Sequence, residues 1–260
     1  MSNLIIIKNI FTTEILKNIL IGIVIGVANI IPGVSGGTLA VVLGIYDRLM
    51  ESIANFLQAP KEKKIEYLMF LVPIGIGAGI GILAFARVIE FLFEKYPLYT
   101  KIAFIILILP SIPLIVKGEN HRDKKNIFFF ILGFISIMIF TYFALKFSGN
   151  PQDAEQIRTV FTTSYYIKLV FCGFIAIGAM IIPGISGSFL LLILGEYENI
   201  VWYINHFKIV PMVYLAVGMG FGAIGFTKVI NYCLKKHRSV TLFFILGIII
   251  ASLIQLFLNL

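Results

Sequence analysis

The sequence predicts an all-α integral membrane protein: an inverted-topology repeat with two broken, re-entrant helical hairpins and about five full spans. Three features indicate this class: an apolar composition, long apolar segments between short polar loops, and a duplicated Pro-Gly motif. Hydrophobic residues make up 59% of the 260 residues, and charged residues only 13%. A soluble domain of this size cannot bury so much apolar surface, so the bilayer is the expected solvent.

Five segments are long and apolar enough to cross the bilayer, for which a helix needs about 20 residues. They are 67–93, 99–116, 126–147, 211–234 and 240–258. The second is the shortest and contains Pro110 and Pro113. The polar stretches between the apolar segments are predicted to be loops, at 59–66, 117–126, 148–158 and 235–238.

Two further apolar regions, 19–57 and 164–204, are each interrupted by a Pro-Gly turn, IIPGVSGGT (30–38) and IIPGISGSF (181–189). The arm before each turn is only about 13 to 18 residues long, which favours a re-entrant half-helix over a full span. The chain then divides into an N-terminal segment, a first repeat, a linking span with an external loop, and a second, inverted repeat. Their ranges are 1–18, 19–125, 126–163 and 164–260.

The two turns belong to an internal repeat. An offset of 151 residues places Ser35 on Ser186, and after a shorter linker an offset of 141 places Arg87 on Lys228. Three spans separate the two hairpins, and an odd number of crossings inverts the second half. The loops on the N-terminal side hold most of the loop Lys and Arg residues. The positive-inside rule therefore predicts a cytoplasmic N-terminus and an external C-terminus.

The chemistry of the turns favours an anion site. Pro and Gly end one helix abruptly, and Ser35 and Ser186 are placed to cap the next. Glycines beside these serines leave the first-turn N–H groups bare, and such helix N-termini bind anions. If both turns meet near the midplane, they hold one phosphate or carboxylate. The alternative is a packing device, in which small residues let helices approach closely. The predicted substrate-binding residues of the turns are Asn29, Pro32, Gly33, Ser35, Gly36, Gly37, Thr38, Pro183, Gly184, Ser186, Gly187 and Ser188.

Charged residues add weaker candidates. Arg87 and Lys228 are also predicted to bind substrate, because cations buried within spans are costly and usually functional. The alternatives are snorkelling to the interface and, for Arg87, a pair with Glu90. Five more charges follow the hairpins and either carry coupling protons or ions or are interfacial: Asp47, Arg48, Glu51, Glu196 and Glu198.

Neither a metal nor a cofactor is expected. The histidines, His121, His206 and His237, have no second ligand at metal spacing. Both cysteines, Cys172 and Cys233, lie in apolar segments and are expected to be packing residues. The net charge of +8 comes from the loops, and no basic helix or stacking platform suggests a nucleic acid partner.

The run GVANIIPGVSGGTLAVVLGIYD (26–47) and its echo IIPGISGSFLLLILGEYE (181–198) resemble the bacterial polyprenyl-phosphate transporter family, long known as a membrane domain of unknown function. The resemblance covers nearly the whole chain. It implies a plasma-membrane flippase that returns undecaprenyl phosphate from the outer to the inner leaflet, recycling the carrier lipid for cell-wall biogenesis. In the second motif Ser188 replaces the second glycine and Phe189 lies where Leu39 does, which leaves open whether both turns bind equally.

Other functions stay open. One is a membrane-embedded polyprenyl (pyro)phosphate phosphatase, and another is a transporter of a different organic anion. Phosphoryl transfer needs a nucleophile, a proton carrier and cationic stabilisation. The chain has no Arg after either turn serine and no His or Glu in the turns, so an enzyme is not expected. A coupling ion, either a proton or sodium, and the oligomeric state stay open.

Overall fold

The computed structural model describes residues 2–30, 35–109, 111–147, 161–185, 187, 190–191 and 194–258. The regular elements in these ranges are α-helices. Their bounds are α1 Ser2–Ile30, α2 Gly36–Val42, α3 Tyr46–Asn55, α4 Lys61–Lys95, α5 Pro97–Ile108, α6 Ser111–Ile115, α7 Lys124–Phe147, α8 Thr163–Ile181, α9 Tyr197–Asn205, α10 Ile209–Lys236 and α11 Arg238–Leu258.

Five of these helices, α4, α7, α8, α10 and α11, are long and apolar enough to cross a membrane. The prediction of an all-α, multi-pass membrane protein is confirmed. Four of the five predicted spans correspond to members of this set. The predicted span 99–116 does not, because it is divided into α5 and α6 on either side of Pro110, which lies outside the described residues.

The first arm of each hairpin is longer than predicted. The helix α1 is continuous from Ser2 to Ile30, across the boundary predicted at residue 18. The matching arm α8 has 19 residues and is itself long enough to span. Length does not distinguish a full crossing from a re-entrant arm, so the re-entrant hairpins stay a prediction.

The helix pairs α1–α4 and α8–α10 pack through glycines at matched positions. A Cβ on Gly77 of α4 would collide with the carbonyl oxygen of Ile19 on α1, and a Cβ on Gly218 of α10 with that of Val170 on α8. These residues are related by the predicted offsets. Gly22 and Gly173 form a second matched pair of close contacts, and Gly81 and Gly222 a third. Such contacts are what a structural repeat requires, and they support the prediction.

The main hydrophobic core surrounds the two helix breaks rather than lying at one end. It includes Leu39 of α2, Met50 of α3, Ile74 of α4, Ile181 of α8 and Ile249 of α11. The helix α7 packs against α11 at the edge of this core, where the two helices approach closely at Gly133 and Gly247. The described residues beside the breaks, Ser35 and Pro183, are buried, as irregular backbone at membrane depth requires.

Candidate functional site

Ser35 caps α2, as the sequence predicts. Its backbone is extended, and its Oγ accepts a hydrogen bond from the Thr38 amide at 3.2 Å. The Thr38 hydroxyl lies 3.2 Å from the same oxygen. Both side chains are buried, with 5% and 4% of their surface exposed. The first predicted turn therefore has the expected cap and two hydroxyls in the core of the protein.

The two motifs contact each other, although they are about 150 residues apart. The Gly184 amide donates to Ser35 Oγ at 2.9 Å. A Cβ on Gly37 would lie 2.9 Å from the carbonyl oxygen of Ile181, so only glycine permits this approach. The Tyr46 hydroxyl donates to the same oxygen at 3.1 Å. The convergence that the sequence predicts for the two turns is present.

A serine that sequence reasoning missed supports the second turn. Gly184 adopts a positive φ of 84°, which side chains disfavour. The Ser252 hydroxyl of α11 donates to the Gly184 carbonyl at 2.9 Å and also to its own helix at Ile248. The offset of 141 residues places Ser111 on Ser252, so a serine at matched positions of two apolar segments was the available signal.

The expectation of bare first-turn amides is wrong for Gly36 and Thr38, and the Gly184 amide of the second turn also has a partner. The Gly36 amide donates to Asn29 Oδ1 at 2.8 Å, while the Thr38 and Gly184 amides donate to Ser35 Oγ. Buried backbone donors without partners are costly, and these two side chains remove that cost in the absence of a ligand. An anion that binds the same amides must therefore replace the oxygens of Asn29 and Ser35.

The structure describes only some of the other predicted turn residues. Pro32, Gly33, Ser186 and Ser188 lie outside the described residues, so their binding roles stay predictions. Pro183 is fully buried. A Cβ on Gly187 would lie 2.6 Å from the Ala176 carbonyl of α8, which fits the packing alternative at that position.

The structure does not bury Arg87 and Lys228. Both side chains are exposed on the surface of the protein. Lys228 lines a cavity of about 590 Å³ with Asn55, Lys235 and Lys236, away from the described parts of both turns. Exposure of Arg87 fits the snorkelling alternative. Substrate binding by either residue stays a prediction.

Charges after the first hairpin form exposed ion pairs with the ends of the long helices. Arg238 lies 2.5 Å from Asp47, and Lys235 lies 3.0 Å from Glu51. Arg48 also pairs with exposed Glu14, at 3.3 Å. We call the end of the molecule where these three ion pairs lie the α3 end. Exposed pairs contribute little to stability, so the interfacial alternative is favoured for these residues.

Glu196, which follows the second hairpin, is different because only 1% of its side chain is exposed. One oxygen accepts from the Tyr165 hydroxyl at 2.5 Å and from Asn199 at 3.1 Å. The other lies 2.6 Å from Lys168 Nζ, and Tyr165 also contacts the Tyr203 hydroxyl at 2.8 Å. This network binds the turn to α8 and α9. The sequence showed the carboxylate but not its partners, since they come from separate helices.

The Glu196 network lies at the other end of the molecule, which we call the α9 end. The helix α10 begins beside α9 and ends at Lys236 near α3, and its 28 residues span about 42 Å. Within the described ranges, no group of three His, Cys, Asp or Glu side chains could hold a metal ion. Two polar features of the interior are the paired turns and, toward the α9 end, the Glu196 network.

These features define a multi-pass helical membrane protein with two buried helix breaks in contact. Residues 25–259 match the family described as undecaprenyl phosphate translocase-like. The chain belongs to this family. A protein of Vibrio cholerae serotype O1 named polyprenyl-phosphate transporter is 29% identical over 93% of this chain and 77% of its own length.

A second relative, from Staphylococcus aureus and also named polyprenyl-phosphate transporter, is 32% identical over 92% of this chain and 85% of its own length. No solved structure matches the chain. The resemblance drawn from the two motifs is thus confirmed at the level of the family, and the relatives are named as transporters rather than as enzymes.

Proposed function

We propose that this protein is a flippase that returns undecaprenyl phosphate from the outer to the inner leaflet of the plasma membrane. Carrier lipid would thereby be recycled for envelope polymers. The observation that carries the proposal is the 2.9 Å contact between Ser35 and Gly184 in a chain whose relatives are named polyprenyl-phosphate transporters. Two breaks that meet inside a membrane protein provide a polar position in an otherwise apolar slab.

The paired turns are the proposed headgroup site. In the structure Asn29 Oδ1 and Ser35 Oγ accept hydrogen bonds from the amides of Gly36, Thr38 and Gly184. A phosphate oxygen is the stronger acceptor, because hydrogen bonds to ionised groups are roughly twice as strong as neutral ones. The headgroup would displace these side-chain oxygens and bind the amides, while the prenyl chain stays in lipid.

Alternating access is the proposed mechanism. In inverted-repeat transporters one repeat rocks against the other around a site near the midplane. The matched glycine contacts of α1–α4 and α8–α10 support two similar bundles that could move in this way. The proposed orientation has a cytoplasmic N-terminus, which makes the α3 end cytoplasmic and the α9 end external. A proton or sodium gradient is the proposed energy source.

A leaflet-resolved assay of undecaprenyl phosphate in proteoliposomes tests the function. Wild-type protein should move the lipid between leaflets under an imposed proton or sodium gradient. Ser35→Ala should reduce the rate, because it removes a hydroxyl that can donate to the phosphate and the oxygen that holds the Thr38 and Gly184 amides of the two motifs together. Ser136→Ala is the matched control, since among the described residues that serine donates to Gly133 of its own helix, at 2.7 Å.

Absence of transport by the wild type under either gradient would refute the function. Equal rates for Ser35→Ala and Ser136→Ala would refute the headgroup site while leaving transport intact. Release of inorganic phosphate from the lipid by the purified protein would instead favour the phosphatase alternative. Transport of short organic anions in preference to the lipid would favour the third alternative.

A further inference from the structure

A half-open cavity of about 640 Å³ extends from the second turn toward the α3 end of the molecule. It lies between α7, α10 and α11, and Pro183 of the second turn forms its inner end. Lys125 and His237 line it at the other end, where α7 begins and α10 gives way to α11. The wall between these ends is formed mainly by apolar side chains such as Leu132 and Phe244. We call this cavity the α7 groove.

The α7 groove has the polarity of a lipid in one leaflet. Lys125 is the second residue of α7, while Leu132 lies seven residues, about 10 Å, deeper along the same helix. Basic groups therefore occupy the interface, and apolar side chains lead from there to the turn. A single-chain anionic lipid has the same order, with its charge at the interface and its chain directed toward the midplane.

We propose that the α7 groove binds polyprenyl phosphate in the leaflet at the α3 end, with the phosphate beside Lys125 and His237 and the first isoprenoid units against Leu132 and Phe244. This inference rests on the proposed function and adds a second position to it. Basic pockets between spans at the cytoplasmic face are known to bind anionic headgroups. A cavity of this volume holds only part of a long chain, so the remainder lies in the bilayer.

Two other cavities fit this ligand less well. One contains Arg48 but also Glu14, Glu62 and Glu66, whose carboxylates would repel a phosphate. The other carries Lys228, Lys235 and Lys236 but also polar Asn55 and Gln58, and it offers little apolar wall for a chain. The α7 groove combines the two requirements and is continuous with the second turn through Pro183.

Selectivity in this groove must come from the headgroup. A prenyl chain gains little by leaving lipid for an apolar groove, because the bilayer is equally apolar. A phosphate monoester carries about −1.5 to −2 charges at neutral pH, more than a phosphodiester lipid such as phosphatidylglycerol. The two basic groups should therefore favour polyprenyl phosphate over the surrounding phospholipids and over uncharged polyprenol.

The native cysteines allow a direct test. Cys233 lines the groove and is half-buried, whereas Cys172 is fully buried elsewhere. The rate of maleimide labelling at Cys233 should be measured by mass spectrometry on the full chain in nanodiscs. At ligand concentrations ten times Kd, bound undecaprenyl phosphate should slow labelling about tenfold. Undecaprenol and added phosphatidylglycerol should have little effect.

A matched pair of variants checks that the protection arises in the groove. Leu132→Trp should fill the groove and abolish protection, while Ile131→Trp, at the adjacent exposed position outside the lining, should retain it. The labelling rates of Cys233 with and without lipid are compared within each variant. A change in the rate without lipid therefore does not affect the comparison. Lys125→Gln should weaken the protection by undecaprenyl phosphate without affecting that by undecaprenol.

The outcomes separate this inference from the function on which it rests. Equal protection by phosphatidylglycerol would make the groove an ordinary lipid contact and overturn the proposal. No protection by undecaprenyl phosphate, in a preparation that transports it in proteoliposomes, would overturn the groove but not the function. Loss of both protection and transport in wild-type protein would overturn both.

Discussion

Replacing Gly77 with Ala should destabilise the packing of α1 on α4, whereas replacing Gly79 should not. A Cβ at Gly77 would collide with the Ile19 carbonyl oxygen, while a Cβ at Gly79 would meet nothing within 4 Å. Both substitutions gain about 1 kcal/mol of helix propensity, which cancels when the variants are compared. The difference that remains is the overpacking cost of one methyl group, typically ~1–3 kcal/mol.

Thermal unfolding of both variants in one detergent measures this difference. At about 2–4 °C per kcal/mol for chains near this size, Gly77→Ala should melt roughly 2–12 °C below Gly79→Ala. The predicted repeat implies the same difference between Gly218→Ala and Gly220→Ala, since only Gly218 faces a neighbouring backbone. Equal melting temperatures within a pair would refute the close approach, and a difference in one half alone would refute the equivalence of the two interfaces.

Three further predictions concern the polar contacts. Glu196→Ala removes the buried carboxylate that Lys168 and Tyr165 contact. It should lower the free energy of unfolding by about 3 kcal/mol, the lower end of the range for a broken buried ion pair, because Lys168 is half-exposed. Glu51→Ala at the exposed pair should cost about 0–1 kcal/mol in the same melting assay, and a similar loss in both variants would contradict this ordering. Ser252→Ala removes the donor to the Gly184 carbonyl and should cost about 1 kcal/mol and slow lipid transport, whereas an unchanged rate would make Ser252 purely structural. Tyr46→Phe should cost about 1 kcal/mol through the lost bond to Ile181, while Tyr197→Phe, at the matched exposed position, should be neutral by thermal unfolding.

The sequence predicted the features that depend on local chemistry. Ser35 follows a Pro-Gly break and precedes two glycines, and a serine in that position caps the next helix in most contexts. The structure confirms this cap. The matched glycines were visible as a repeat, and their close contacts occur at the positions that the offsets relate. The sequence was therefore sufficient to predict the helix cap, which neighbouring residues determine, and the matched glycine positions, which the repeat makes visible.

The features that depend on distant partners were not predicted. Ser252 reaches Gly184 from a helix 68 residues later, and no periodicity marks it within its apolar segment. Glu196 was one of five similar charges, and only its burial beside Tyr165 separates it from the exposed pairs. The amides of the turns were expected to be bare because the sequence does not reveal how far the Asn29 side chain reaches.

The two halves differ most where the hairpins return to the surface. An offset of 151 residues places Glu14 on Tyr165 and Arg48 on Asn199. In the first half these positions form an exposed ion pair, and in the second they hold the buried carboxylate of Glu196. Since a buried, fully hydrogen-bonded carboxylate is lost only at high cost whereas an exposed pair contributes little, the arms of the second hairpin are held together more strongly than those of the first.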